Sequence, residues 1–312
     1  MPSASHAPQT HWQAGRFRLD LQRPQIMGIV NVTPDSFSDG GQHADTRSAL
    51  LHCEQLLREG ATILDIGGES TRPGSPAVPL DEELRRVLPV VQEAVRFKVP
   101  VSVDTYKPEV MQAVLDAGAD IINDIWALRW KSSERGLSGE QVVAQHASCG
   151  ICLMHMHRDP QTMQVQPMSG NPEAIVDEVH DFLQQRASSL YALGVARERI
   201  VLDPGIGFGK TVPQNLVLLQ QQARTHANGH AVLAGWSRKS ALGAVLEALP
   251  PGITDVVYRS ELLAHERSLA SVAAHLLAVE KGARIVRVHD VAATRQTLAV
   301  WQAMQALDVR AA

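Results

Sequence analysis

Five polar side chains in this chain follow directly on short apolar runs: Asn31, Asp104, Asn123, Asp203 and His289. An ionised carboxylate such as Asp104 or Asp203 accepts two parallel N–H bonds from an amidine-like edge. Asn123 both donates and accepts, which suits a heterocycle with a mixed edge. The same paired carboxylates also suit acid–base work or a metal ion, and residue type alone does not separate these uses. A single Asp at a strand end is as readily a helix cap or loop anchor. Five such positions together point to one shared mouth.

Basic groups complete the set. Arg287 and His289 stand at i and i+2, on one face of a strand, and together suit a diphosphate. Thr71 and Arg72, after Gly67-Gly68-Glu69-Ser70, are placed to join them from a second loop. Ser237-Arg238-Lys239-Ser240 follows Gly235 and opens a helix, whose first N–H groups favour a carboxylate or phosphate. A capped helix with solvated basic residues is the plainer alternative there.

Three other motifs resolve toward ordinary roles. Gly205-Ile206-Gly207-Phe208-Gly209-Lys210-Thr211 resembles a phosphate cradle, but the first glycine of G-x-x-x-x-G-K-[ST] would fall on Pro204. The G-x-G-x-x-G spacing fails as well, which leaves a flexible loop presenting Phe208. Cys149 and Cys152 have C-x-x-C spacing without a second pair, and Cys152 sits in an apolar run as a small core residue would. His155 and His157 lack a third ligand, so they are read as structural or loop residues rather than a zinc site.

The elements that must carry these residues alternate. Apolar strand-like runs lie at 26–31, 62–66, 99–104, 120–124, 150–155, 200–203, 231–235 and 284–288. Amphipathic helical stretches fill 44–59, 80–95, 108–117, 172–193, 214–222 and 291–307. Eight strand-then-helix units predict an α/β fold of one domain, a (β/α)8 TIM barrel, whose strand ends converge on one mouth. A doubly wound sheet is the alternative, and the even spacing favours closure. The alternation at 16–21 predicts a short N-terminal strand or hairpin extension. Residues 1–14 read as a disordered tail, leaving 15–312 as the barrel domain. Long loops follow the first two strands, at 31–43 and 67–78, where function is expected. The stretches 129–139 and 249–255 read as exposed loops.

Composition narrows the class. With 312 residues, 45% of them hydrophobic, a large core is available and the composition argues against a chain disordered as a whole. A net charge of -4 without a Lys/Arg block excludes non-specific nucleic-acid binding. Three cysteines argue against a disulfide framework. Residues 1–15 are polar and carry no secretory core, and no stretch approaches the ~20 apolar residues of a membrane span. The expectation is a cytoplasmic protein that binds neither nucleic acid nor membrane.

Eight segments in order resemble dihydropteroate synthase, the pterin-binding barrel family of folate biosynthesis. They are MGIVNVTPDSFSDGG (27–41), ILDIGGESTRPGS (63–75), SVDTYKPEV (102–110), ADIINDI (119–125), LMHMH (153–157), LDPGIGFGKT (202–211), GWSRKSALG (235–243) and RVHDV (287–291). The resemblance implies a TIM barrel, usually a homodimer. It implies a transferase that condenses (7,8-dihydropterin-6-yl)methyl diphosphate with 4-aminobenzoate, giving 7,8-dihydropteroate and diphosphate with the help of Mg²⁺. The family is the target of sulfonamides, which mimic 4-aminobenzoate.

Residue by residue, the resemblance implies that Asp104, Asn123, Asp203 and Lys239 hold the pterin, with Met156 and Gly235 walling its pocket. Asn31, Thr71, Arg72, Arg287 and His289 would bind the diphosphate, Asn31 also meeting Mg²⁺. Thr71, Arg72, Pro73, Phe208, Lys239 and Ser240 would form the aminobenzoate side. Asp35, Phe37 and Ser38 would lie on a first mobile loop that closes over the substrate. Asp35, Lys239, Arg287 and His289 are the implied catalytic set. The implied mechanism is dissociative, with the C–O bond to diphosphate breaking before the amine attacks.

Departures from the family pattern fall around these positions and not on them. Trp126-Ala127-Leu128-Arg129-Trp130 is bulkier than the expected small polar loop, Tyr106 stands where Ser is common, and His157-Arg158 stands where Gln-Gly is frequent. The run 265–270 matches only loosely. A pterin-dependent methyltransferase, the enzymatic alternative, would not need the SRKS, RVHDV or NVTPDSFSDGG segments. A catalytically inactive pterin-binding homologue should have lost some of Asn31, Asp35, Arg72, Lys239, Arg287 and His289, and this chain keeps them all.

Overall fold

The computed structural model describes residues 7–32, 41–71, 74–132, 136–160, 162–163, 165–225, 229–248 and 267–308. Two short strands, β1 (His11–Ala14) and β2 (Phe17–Asp20), form an antiparallel hairpin. Eight parallel strands follow: β3 (Gln25–Asn31), β4 (Ile63–Gly67), β5 (Val101–Asp104), β6 (Ile121–Asp124), β7 (Gly150–Met154), β8 (Ile200–Asp203), β9 (Val232–Ala234) and β10 (Ala283–Val288). They close in chain order, β10 returning to pair with β3, which is the TIM-barrel arrangement. Every residue of β4 to β9 is buried. A parallel strand covered by helices outside and by barrel filling inside reads as an unbroken apolar run.

The helices around the barrel are α1 (Gly41–Glu59), α2 (Leu80–Ala94), α3 (Pro108–Asp116), α4 (Gly139–Gln145), α5 (Ala174–Ala192), α6 (Val212–Gln220), α7 (Gln222–Thr225), α8 (Ser240–Glu247), α9 (Ser268–Glu280) and α10 (Val291–Asp308). Local chemistry fixes several starts. Pro108 opens α3 and Pro213 lies in the first turn of α6. Reciprocal capping boxes, Ser138 with Gln141 and Thr211 with Gln214, begin α4 and α6.

The main core lies between strands and helices. A second cluster, including Trp12, Leu21, Met27, Ile63, Ile121 and Ile285, joins the hairpin to the barrel interior. A third gathers Ile125, Met154, Met156, Met163 and Phe208.

The expected strands and the six expected helical stretches all have counterparts, displaced by a few residues at their ends. The expected disordered tail over 1–14 is corrected for its described part. Trp12 is fully buried, its Nε1 donates to the Arg199 carbonyl at 2.9 Å, and β1 holds residues 11–14. Burying an indole against the barrel outweighs the tendency of chain ends to fray. Helices α4 and α9 were called for by the eight strand-then-helix units, but their bounds were not read from the sequence. α4 is short, and in α9 small and apolar residues spread around the axis and blur its stripe. The expected loop at 249–255 lies outside the described residues. No described helix is long and apolar enough to cross a membrane.

Candidate active site

The C-terminal ends of the strands surround a cavity of about 560 Å³. Asn31 reaches it from the end of β3, Asp104 from β5, Asn123 from β6 and Asp203 from β8. Thr71, Phe208, Gly235, Lys239, Ser240, Arg287 and His289 complete the expected residues that line it. Asp104 and Asn123 are register partners on adjacent strands, so the geometry of the sheet sets them side by side. Met156 lies in the apolar cluster at the mouth, while Met154 and Met163 are the methionines that line the cavity. Asp35, Phe37, Ser38, Arg72 and Pro73 lie outside the described residues.

Opposite charges are set close together in the cavity wall. Arg287 donates from Nε to Asp65 Oδ2 at 2.6 Å and from Nη2 to Asp104 Oδ2 at 2.8 Å. Asn123 Nδ2 donates to the same Asp65 oxygen at 3.2 Å. Burial works against the Arg287 charge, but Asp65 and Asp104 outweigh it and hold the guanidinium protonated. Burial raises Asp104 to about 7, with Arg287 opposing and Asp65 adding to the rise. Asp203 is also raised by burial, against the Gly205 N–H that donates to its Oδ1 at 2.7 Å. Both carboxylates are thus poised to gain from a ligand that brings N–H donors.

Lys239 faces Asp203 across this space. Burial pushes its ammonium down to about 8, and Asp203 resists the shift. Its Nζ stands 4.1 Å from the centre of the Phe208 ring, a cation–π contact.

Phe208 is presented by a loop that glycine makes possible. Gly205 has φ +69°, and a Cβ there would meet the His155 carbonyl oxygen at 1.9 Å. Gly207 has φ +80°, with the Lys239 side chain directly over it. Lys210 is buried beneath and donates to three carbonyls, those of Gly205 at 2.8 Å and of His155 and Phe208 at 3.2 Å. Burial pushes this amine down to about 7. The lysine at the end of this motif therefore ties its own loop together.

The turn before α8 is fastened to the end of β10. Arg238 adopts φ +58°, uncommon for a side chain with a Cβ. Its N–H donates to Ser271 Oγ at 2.8 Å, and its guanidinium grips Asp290 at 2.7 and 3.2 Å. Ser237 Oγ accepts the His289 N–H at 3.1 Å and pairs with His289 Nδ1 at 2.9 Å. These bonds set Lys239 as the residue before α8 and Ser240 as its first turn.

Some residues in the wall and directly behind it were not foreseen. Asp65 is fully buried inside β4, with Oδ1 unpartnered. A charge inside an apolar strand was the signal available for it, since such a charge is costly unless used. Glu69 and Arg267 line the cavity and were not foreseen either, whereas Ser237 and Arg238 line it as parts of the turn singled out in the sequence. The cysteines are buried thiols, and burial raises Cys149 and Cys152, which favours the inert form. Burial also drives His155 down to about 2, leaving it neutral. Among the described residues no three His, Cys, Asp or Glu side chains gather as a metal site.

The family model of pterin binding enzymes matches residues 27–289. The chain is 46% identical to the dihydropteroate synthase of Neisseria meningitidis serogroup C over 296 residues, 94% of this chain and 97% of that one. The crystal structure of Burkholderia cenocepacia dihydropteroate synthase complexed with 7,8-dihydropteroate superposes with a TM-score of 0.81 at 47% identity, covering 98% of this chain and 99% of that one. Xanthomonas albilineans dihydropteroate synthase with 4-aminobenzoic acid gives 0.82 at 45% identity, covering 96% and 99%. With its barrel, its cavity and these relatives in agreement, the chain belongs to the dihydropteroate synthases of the pterin-binding enzyme family.

Proposed function

We infer that the mouth of this barrel joins (7,8-dihydropterin-6-yl)methyl diphosphate to 4-aminobenzoate, forming 7,8-dihydropteroate and diphosphate. The observation that carries this reading is one cavity that holds buried carboxylates, Asp104 and Asp203, together with the cations Lys239 and Arg287. The carboxylates and Asn123 take the pterin's N–H edge, and Lys239 takes its carbonyl side. Arg287, His289, Thr71 and Asn31 face the diphosphate, joined by Arg72. Phe208, Lys239 and the N-terminal turn of α8 at Ser240 receive the aminobenzoate, a role the family resemblance extends to Pro73.

The chemistry is separation of charge. The C–O bond between the pterin methylene and diphosphate breaks, and its electron pair leaves on the diphosphate oxygen. The cationic methylene is delocalised into the pterin, and Asp35 is the carboxylate assigned to it by the family resemblance. The aminobenzoate nitrogen then forms the C–N bond and releases a proton to water. Fixed charges serve this course without a nucleophilic side chain. The amide oxygen of Asn31, at the cavity wall, would hold a Mg²⁺ ion. When bound, that ion neutralises charge on the leaving diphosphate. Sulfonamides should compete with aminobenzoate at the Phe208 and Ser240 side.

A second copy of the chain is the proposed partner. Val300, Met304 and Leu307 form an exposed apolar stripe on α10, and Leu269 and Leu277 are exposed on α9, which packs beside it. The compartment proposed is the cytoplasm. Mass spectrometry of a mixture of both substrates, Mg²⁺ and enzyme tests the reading. Dihydropteroate should form, and fail to form when either substrate is omitted. Tight pterin binding with no product would instead mark an inactive homologue.

A further inference from the structure

Three charged or polar groups beside the mouth have no part in the chemistry above. Glu69 lines the cavity two residues before Thr71. Its carboxylate is gripped from the loop after β5: Tyr106 Oη donates to Oε1 at 3.0 Å and Lys107 Nζ donates to Oε2. The Lys107 side chain is 7% exposed and also pairs with Glu83 of α2 at 2.5 Å. Its Nζ lies 4.4 Å from the centre of the Tyr106 ring. That ring packs edge-on to Trp130 at 5.4 Å and tilted to Trp126 at 6.4 Å.

The cluster is not explained by stability. Two buried carboxylates around one ammonium leave a net negative charge, and burial raises Glu83 in response. Buried ion pairs of this kind seldom outdo apolar packing, and their best-attested use is to specify one arrangement. The arrangement specified here is the stem of the second loop. Arg86 Nη1 holds the Gly68 carbonyl at 2.8 Å, the Glu69 carboxylate is held from two sides, and Ser75 Oγ donates to Ser70 Oγ at 3.0 Å. Neither Tyr106 nor Lys107 is among the described lining residues; the Tyr106 ring packs against the cluster of Met154, Met163 and Phe208, while its hydroxyl reaches the site through Glu69.

We propose that Tyr106 and Lys107 are positioning residues that hold the second loop, and with it Thr71, at the aminobenzoate side of the mouth through the Glu69 carboxylate. This rests on the assignment of Thr71 to that side. The phenol hydroxyl is the informative handle, because Tyr106→Phe keeps the ring, its aromatic neighbours and its contact with Lys107.

Steady-state kinetics with varied 4-aminobenzoate test the tether, alongside calorimetric titration of the pterin diphosphate. Tyr106→Phe should raise the aminobenzoate KM about five-fold, the equivalent of one lost hydrogen bond. Pterin affinity should stay within a factor of about two, and Tyr106→Phe on a Glu69→Gln background should add little, as expected for partners in one contact. An unchanged KM in Tyr106→Phe, or a parallel fall in pterin affinity, overturns the proposal. Thr71→Ala separates the two readings. If it leaves the aminobenzoate KM unchanged, the assignment of the loop itself fails. If it raises that KM while Tyr106→Phe does not, only the tether fails.

Discussion

Lys239 is set between two demands. It must stay protonated to face a pterin carbonyl and an anionic partner, yet burial pushes it down to about 8. Asp104 is under the opposite strain, raised to about 7 and required as an anion to accept N–H bonds. The two requirements give a pH profile. Activity falls below about 7 as Asp104 takes a proton, and falls above about 8 as Lys239 loses one. A kcat/KM profile for the pterin diphosphate should therefore be a narrow bell, and a flat profile across that range would contradict these assignments. Asp203→Asn should weaken pterin binding by about 2–5 kcal/mol by calorimetry, the scale for losing one partner of a buried charged pair. Lys239 was legible because it stands in a basic turn that opens a helix, and Asp104 and Asp203 because each ends an apolar run. Asp65 was not, because it sits inside one, and what betrays its role is the Arg287 side chain arriving from a strand more than 200 residues away.

At the scale of elements, the site depends on two turns that the backbone would not adopt unaided. The Gly205 turn leaves no room for a Cβ. Gly205→Ala should cost about 1–3 kcal/mol in urea-melt stability from strain and displacement of the loop. It should also raise the aminobenzoate KM, because Phe208 moves with that loop. A variant with unchanged stability and KM would show that the loop does not set the pocket wall. The Arg238 turn is held by Asp290 and Ser271 from neighbouring elements. The glycines were readable as a loop, and their failure to match a phosphate cradle was readable too. The tertiary hold on Arg238 was not, since Asp290 and Ser271 lie 52 and 33 residues away.

Across the whole molecule, the hairpin joins the cluster of Met27, Ile63 and Ile285 near the starts of their strands, while the cavity opens at the strand ends. Stability and chemistry are therefore separable. Trp12→Ala should lower unfolding stability by about 3–5 kcal/mol, the usual cost of emptying a large buried aromatic site. Below its melting temperature the variant should keep a near-normal KM for both substrates. A large KM change without a stability change would contradict this division. Barrel closure was inferable because even strand–helix alternation leaves few ways to cover both faces of a parallel sheet. The buried hairpin was half inferable: its alternation at 16–21 stood out, but no local pattern revealed that Trp12 would find the Arg199 carbonyl across the barrel floor.

The central claim is that this mouth drives aminobenzoate-dependent loss of diphosphate through charges it holds fixed. The most direct measurement is the rate of diphosphate release from the dihydropterin diphosphate with Mg²⁺, with and without 4-aminobenzoate, for the wild-type chain and Lys239→Ala. Sustained release that requires aminobenzoate and is largely lost in Lys239→Ala is the predicted result. Release that ignores aminobenzoate, or that survives in Lys239→Ala at near the wild-type rate, would contradict the account.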